Sequence, residues 1–128
     1  MIKGTGIDLA DVDRVGAMIK RFGNRFTRRV FTPAEISYCE GRKEPAYSYA
    51  ARFAAKEAAM KALGKGWGSG VRFKQIEVVA GRTPSLLLHG EAEKEARRQG
   101  VGRLHLSLTH EKGLAAAVAV AEDNKSGE

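Results

Sequence analysis

The sequence predicts an α+β fold: a mostly antiparallel sheet, with a helical section between the first and second strands and one later helix. Three observations carry this reading. The opening "IKGTGIDLA" (2–10) alternates like a strand, with Ile2, Gly4, Gly6 and Asp8 on one face and Thr5, Ile7 and Leu9 on the other. The next fifty residues carry helical spacing and helix-end signals in three stretches. Near the end, "RLHLSLTH" (103–110) and "LAAAVAVA" (114–121) flank the short turn "EKG" as an antiparallel pair.

Two glycines lining the approach to Asp8 imply close packing there, by backbone or by ligand. Asp11 is an N-cap for a helix whose apolar stripe is Val12, Val15, Ile19 and Phe22, closed by Gly23. In "TPAE" (32–35), Thr32 caps, Pro33 suits the first helical position and Glu35 completes a capping box. That helix should run to about Glu40 and stop at Gly41, and a longer one should follow from about Ala46 to Leu63. The long helix holds an oddity: at ~100° per residue, Glu57 falls in one stripe with Phe53, Met60 and Gly64, while alanines fill much of the opposite side. Surface helices usually give charges a polar face of their own, so this glutamate needs a reason. Gly64, Gly66, Gly68 and Gly70 make a flexible loop around Lys65 and Trp67. "FKQIEVV" (73–79) and "SLLLHG" (85–90) read as strands joined by a turn at Gly81 to Pro84, and "EAEKEARRQG" (91–100) as a helix ending in Gly100. Asp123 to Glu128 reads as a frayed tail.

With 128 residues and neither repeat nor linker, the chain reads as one domain over 1–128. No apolar run approaches the roughly 20 residues of a membrane span, and the N-terminus lacks the apolar stretch of a signal peptide. The lone Cys39 forms no internal disulfide, and no Cys/His cluster has zinc spacing. These features predict a cytoplasmic protein. A net charge of +7 favours an anionic partner: nucleic acid, a phosphorylated ligand or an acidic protein.

Three stretches carry polar groups that stand out: Asp8 at a strand end, Glu57 with its lysines, and Ser107 to His110 at another strand end. Two carboxylates that meet in space form a hard-oxygen site suited to Mg²⁺, completed by water and substrate phosphate. Lys56 and Lys61 beside a glycine loop suit phosphate oxygens. Each group also has a plainer reading. Glu57 and Lys61 stand four apart as a surface pair, Asp8 can cap a turn, and "GKGWGSG" lacks the fixed order of a Walker A loop.

The combination decides. "GIDLADVDRV" (6–15), "FAAKEAAMKALGKG" (53–66) and "LSLTHEKGLAAAVAV" (106–120) resemble, in order, the three signature regions of the holo-acyl-carrier-protein synthases, the small 4′-phosphopantetheinyl transferases. The middle stretch matches F-x-x-K-E-A-x-x-K-A-x-G-x-G throughout. The resemblance implies transfer of phosphopantetheine from coenzyme A to a serine of apo acyl carrier protein, with adenosine 3′,5′-bisphosphate released. It implies Asp8 and Glu57 as ligands of Mg²⁺, or of Mn²⁺ in its place, and Glu57 and Lys61 as catalytic groups. Arg52, Lys56, Lys61, Gly64, Gly66, Ser107, Thr109 and His110 are expected around coenzyme A. Either Glu57 or a water on the metal is the expected base for the serine proton. The arginines 14, 21 and 25 are expected to dock the acidic carrier protein. The family further implies a homotrimer whose active sites lie between subunits, so that Asp8, Glu57 and Lys61 face the Ser107–His110 strand end of a neighbour. A nucleic-acid-binding module is the rival reading of the basic charge. It leaves the two carboxylates unexplained, so neither nucleic acid nor membrane is expected as a partner.

Overall fold

A computed structural model describes residues 1–66 and 69–124. Strand β1 (Ile2–Asp11) leads into helices α1 (Val12–Phe22), α2 (Asn24–Val30), α3 (Pro33–Glu40) and α4 (Pro45–Ala62). A single 3₁₀ turn, Phe73–Gln75, precedes β2 (Ile76–Val79) and β3 (Ser85–Leu88), and α5 (Gly90–Gln99), β4 (Val101–Glu111) and β5 (Leu114–Asp123) follow. A three-stranded antiparallel sheet has the order β1-β5-β4, and β2 and β3 form a separate antiparallel pair. The predicted α+β class is therefore correct. Among the described residues no helix is long and apolar enough to cross a membrane.

Local chemistry explains the helix ends. The Asp11 side chain accepts from the Arg14 backbone N–H and starts α1. Thr32 and Glu35 form the predicted capping box at α3. At the end of α4, Gly64 has φ +68°, and its N–H reaches the Lys61 carbonyl while that of Lys65 reaches Met60. This is the paired bonding of a Schellman cap, which needs a left-handed residue at Gly64. The sequence reading missed α2, because "NRFTRRV" offers three arginines and no clear apolar period. Only Thr27 and Val30 are buried there. The strand expected from Phe73 begins instead at Ile76, because residues 73–75 turn. The expected tail begins later than Asp123. That residue ends β5 opposite Val101 and accepts from the Met1 amine at 3.1 Å; residues 125–128, like Trp67 and Gly68 of the predicted loop, lie outside the described residues.

The large sheet lies on α4. Ala50, Ala54, Ala58 and Ala62 recur every four residues along that helix and are all buried, as are Ala115, Ala117, Ala119 and Ala121 of β5. Small side chains on both surfaces let backbone meet backbone. Gly4 and Gly6 settle the alternative raised by the sequence: both approach helix backbone. A Cβ built on Gly4 would stand 2.0 Å from the Ala62 carbonyl oxygen, and one on Gly6 1.9 Å from that of Ala58. The alternate alanines of β5 serve the chain's own helix.

A second fastening sits on another side of α4. The Lys56 amine donates to Glu35 Oε1 at 2.7 Å, to the Phe73 carbonyl at 3.0 Å and to the Ile76 carbonyl at 2.7 Å. All three ammonium protons are used. Glu35 also accepts from the backbone N–H groups of Thr32 and Val78, each at 2.8 Å. Both side chains are fully buried. Burial lowers the Lys56 pKa, while the Glu35 carboxylate opposes that shift. The pair ties α3, α4 and the start of β2 together.

Two outcomes test these contacts. Gly6→Ala should destabilise the fold by at least the roughly 1–3 kcal/mol typical of overpacking, because the atom it meets is backbone and cannot rotate away. A urea melt with an unchanged midpoint would disprove the close approach. Lys56→Met should lose about 3–5 kcal/mol, as expected when one partner of a buried pair is removed. In a double-mutant cycle with Glu35→Gln the losses should be clearly non-additive, and simple additivity would mean the two groups act independently.

Candidate functional site

Asp8 lies two residues beyond Gly6 on the same face of β1, and Glu57 immediately precedes Ala58 on α4. The Gly6–Ala58 contact therefore brings the two carboxylates to the same place. Both line one cleft of about 410 Å³, with Ala10, Arg14, Met18, Phe26 and Phe53 among its other walls. Lys61 donates from Nζ to Asp8 Oδ1 at 3.0 Å and to the Ile7 carbonyl at 2.9 Å. The helical pairing of Lys61 with Glu57 suggested by their spacing is not what forms; the lysine crosses to the strand. The Glu57 side chain makes no hydrogen bond or ion pair among the described residues. Its carboxyl is held above the ordinary glutamate range, first by burial and then by the Asp8 charge, with Lys61 pulling the other way.

A cation would relieve that strain. Two partly buried carboxylates aimed at one cleft, with one lysine between them, are a hard-oxygen donor set short of positive charge, which suits Mg²⁺. Asp11 borders the same cleft but caps α1, and among the described residues no third His, Cys, Asp or Glu comes together with them as a metal-holding group. The remaining ligand positions would fall to water and substrate oxygens.

The residues expected around coenzyme A are dispersed. Arg52 and His110 line a second cleft of about 490 Å³, together with Arg42, Lys43, Tyr47 and Ser48. This cleft shares no lining residue with the one holding Asp8 and Glu57. The Tyr47 ring meets that of His110 edge-on at 5.3 Å, and the Tyr47 hydroxyl accepts from the Gly113 N–H. Ser107 and Thr109 have the opposite strand parity from His110 and lie on the sheet face turned away from α4, so the 107–110 segment serves both faces. Gly64 and Gly66 are exposed, with open space where a Cβ would stand. Lys56 is a correction: its amine, buried and spent on three protein acceptors, has no proton left for a phosphate.

The basic surface proved richer than expected. Arg14 borders the cleft of the carboxylates, and Arg25 borders an adjoining one of about 250 Å³ with Met18, Phe22, Phe26 and Arg29. Met18 and Phe26 belong to both clefts, so arginines and apolar side chains run on from Glu57 across α1 and α2. Arg21 lies over the ring of Phe22, 5.1 Å from its centroid. Sequence reasoning named the arginines but not Met18 or Phe26, since the helix carrying Phe26 had no readable period. Arg42 and Tyr38 were missed as well; nothing in their local sequence separates them from ordinary surface residues.

The family model described as the 4′-phosphopantetheinyl transferase superfamily matches residues 4–119. A holo-[acyl-carrier-protein] synthase of Solibacter usitatus is 50% identical over 125 residues, covering 96% of this chain and all of the relative. The crystal structure of the Neisseria meningitidis holo-[acyl-carrier-protein] synthase superposes with a TM-score of 0.87 at 35% identity, covering 96% of this chain and 100% of that one. That of Helicobacter pylori, in complex with coenzyme A, gives a TM-score of 0.81 at 31% identity over 92% of this chain and 99% of that one. With the fold and both carboxylates in place, this chain belongs to the 4′-phosphopantetheinyl transferase superfamily, among the holo-[acyl-carrier-protein] synthases.

Proposed function

We propose that this enzyme transfers 4′-phosphopantetheine from coenzyme A to a serine of an apo acyl carrier protein, with Mg²⁺ required and adenosine 3′,5′-bisphosphate released. The observation that carries the reading is the convergence of Asp8 and Glu57 on one cleft, with Lys61 bonded to Asp8. In the transfer the serine oxygen forms a bond to the β-phosphorus, the bond from the β-phosphorus to the bridging oxygen breaks, and the bisphosphate leaves with that oxygen on its α-phosphorus. Asp8 and Glu57 would hold Mg²⁺, or Mn²⁺, which when bound neutralises pyrophosphate charge. Lys61, half exposed beside Asp8, adds positive charge where the leaving phosphate develops negative charge. The serine proton passes to a carboxylate oxygen of Glu57, a side chain that lines the cleft and has no competing hydrogen bond among the described residues.

Coenzyme A fits the second cleft through Arg52 and His110; Gly64 and Gly66, outside that cleft beyond the end of α4, offer exposed backbone that another part of the ligand can approach. Its binding by the Helicobacter pylori relative supports this ligand. The run of Arg14, Arg21 and Arg25 beside Met18, Phe22 and Phe26 suits an acidic carrier protein that presents some apolar surface. We assign the work to the cytoplasm, in keeping with a single buried thiol whose pKa burial pushes up to about 12.

We further propose a homotrimer with active sites between subunits. On the sheet face away from α4, Ile7 is 67% exposed, Leu9 66%, Leu114 45% and Val118 38%. Register places Val118 between Ile7 and Ser107, and Ala116 between Leu9 and Thr109, so the apolar side chains of β1 and β5 adjoin on this face, edged by Ser107 and Thr109. Such a patch is characteristic of an interaction surface. The separation of the two clefts within one chain fits a site completed by a neighbour.

Incubation with coenzyme A, Mg²⁺ and an apo carrier protein should add one phosphopantetheinyl group, read by the mass of the carrier. Asp8→Ala and Glu57→Ala should each reduce the rate on the order of 10²-fold or more with little change in melting. EDTA should abolish transfer until Mg²⁺ or Mn²⁺ is restored. An unmodified carrier with the wild-type enzyme, or full transfer in EDTA, overturns the reading.

For the assembly, sedimentation should show three copies, and Val118→Glu should release monomers. Glu57→Ala and His110→Ala subunits, each impaired alone, should regain part of the activity when mixed and exchanged, because some interfaces pair both intact halves. A monomeric wild type, or exchange without recovery, speaks against the shared site.

A further inference from the structure

Arg52 is only 6% exposed, yet its guanidinium has neither hydrogen bond nor ion pair among the described residues, and its buried Nε is unsatisfied. Buried cations are ordinarily paired. Glu35 is taken by Lys56, the Glu40 side chain accepts from the Tyr49 hydroxyl at 2.6 Å, and Glu44, though it lines the same cleft, makes no ion pair with Arg52. What Arg52 does have is the ring of Tyr38, with its guanidinium carbon 4.0 Å from the ring centroid. Arg42 lies over the same ring at 5.4 Å. Tyr38 thus gathers two guanidinium groups that would otherwise repel each other, through the negative face of the ring. Both arginines line the cleft that also holds Lys43 and His110.

We propose that Tyr38 is a positioning residue: its ring holds Arg52 and Arg42 as a preformed cationic pair that binds a phosphate group of the substrate. The inference rests on coenzyme A as the ligand of the Arg52–His110 cleft. The ring's place is fixed independently of any ligand. Tyr38 stands in the last turn of α3, whose start is set by the Thr32–Glu35 capping box and whose Glu35 is bonded to Lys56 of α4. Arg52 follows four residues before Lys56 on the same helix. One rigid arrangement therefore carries both the ring and the arginine above it. The Tyr38 hydroxyl makes no hydrogen bond among the described residues, so the ring face, not the oxygen, is what acts.

The test separates the ring from the hydroxyl and from the fold. Tyr38→Phe should keep the wild-type KM for coenzyme A. Tyr38→Leu should raise that KM about tenfold, while kcat and the KM for carrier protein stay within about twofold. Calorimetric titration of coenzyme A into the metal-free enzyme should show the same loss without turnover. In an Arg52→Met background, Tyr38→Leu should add a clearly smaller loss, since only Arg42 is then left for the ring to position. Equal KM values for Tyr38→Leu and wild type, or a Tyr38→Leu effect just as large without Arg52, overturns the proposal. Should Tyr38→Leu melt well below wild type, Tyr38→Met, which refills the volume without a ring face, is expected to show the same rise in KM, and a wild-type KM there would equally overturn it. If the wild-type enzyme neither binds coenzyme A nor modifies a carrier, the ligand assignment fails instead, and the two failures are distinguishable.

Discussion

The close approach of β1 to α4 is the constraint on which the rest of the molecule depends. Gly4 lies against Ala62 and Gly6 against Ala58, so two residues along the strand correspond to four along the helix in the opposite direction. The rises agree, roughly 6.6 Å for the strand and 6.0 Å for the helix. Continued one step, that registry brings Asp8 alongside the stretch of α4 between Ala54 and Ala58, next to Glu57, and the long Lys61 side chain reaches back to it. Any side chain at Gly6 would push the strand away and part the carboxylates. Packing and chemistry are here one requirement.

The buried Lys56–Glu35 pair does for the opposite side of α4 what the glycines do for the sheet side. Buried ion pairs contribute little net stability against apolar replacements, because desolvation offsets their attraction. Their directional hydrogen bonds do, however, specify geometry. Lys56 reaches two carbonyls at the entry to β2 as well as Glu35, and Glu35 reaches the backbone of Thr32 and Val78. The helix that carries Glu57 is held on two sides, and Arg52 is left as a buried cation with no ion pair among the described residues.

The sheet shows how one strand can serve two surfaces. Along β5 the inward positions are all alanine, small enough to let α4 approach, while Leu114, Val118 and Val120 alternate outward. On β4 the same alternation turns His110 toward α4 and the Arg52 cleft, and sends Ser107 and Thr109 to the exposed apolar face. The clefts stand apart within one chain for the same reason: Asp8 is on one edge strand and His110 on the other, with β5 between them.

What the sequence determined by itself was local: caps at Asp11 and Thr32, glycine stops at Gly23, Gly41 and Gly64, strand alternation, and a glutamate out of place on an apolar stripe. These features depend on a few neighbouring residues, whose conformational preferences are readable in order. The three motifs also named the acidic pair. The tertiary structure alone decided that the two glycines of β1 meet helix backbone, that Lys61 crosses to Asp8 instead of pairing with Glu57, and that Lys56 is consumed inside the fold. It alone revealed α2, whose arginine-rich segment has no apolar period, and the stacking of Arg52 on Tyr38. Each is a contact between residues distant in the chain, where the lysines beside Glu57 look alike in sequence and differ only in what the packed neighbours offer them. Lys56 meets a buried carboxylate and two carbonyls, Lys61 meets a strand edge and solvent, and that difference separates a structural cation from a functional one.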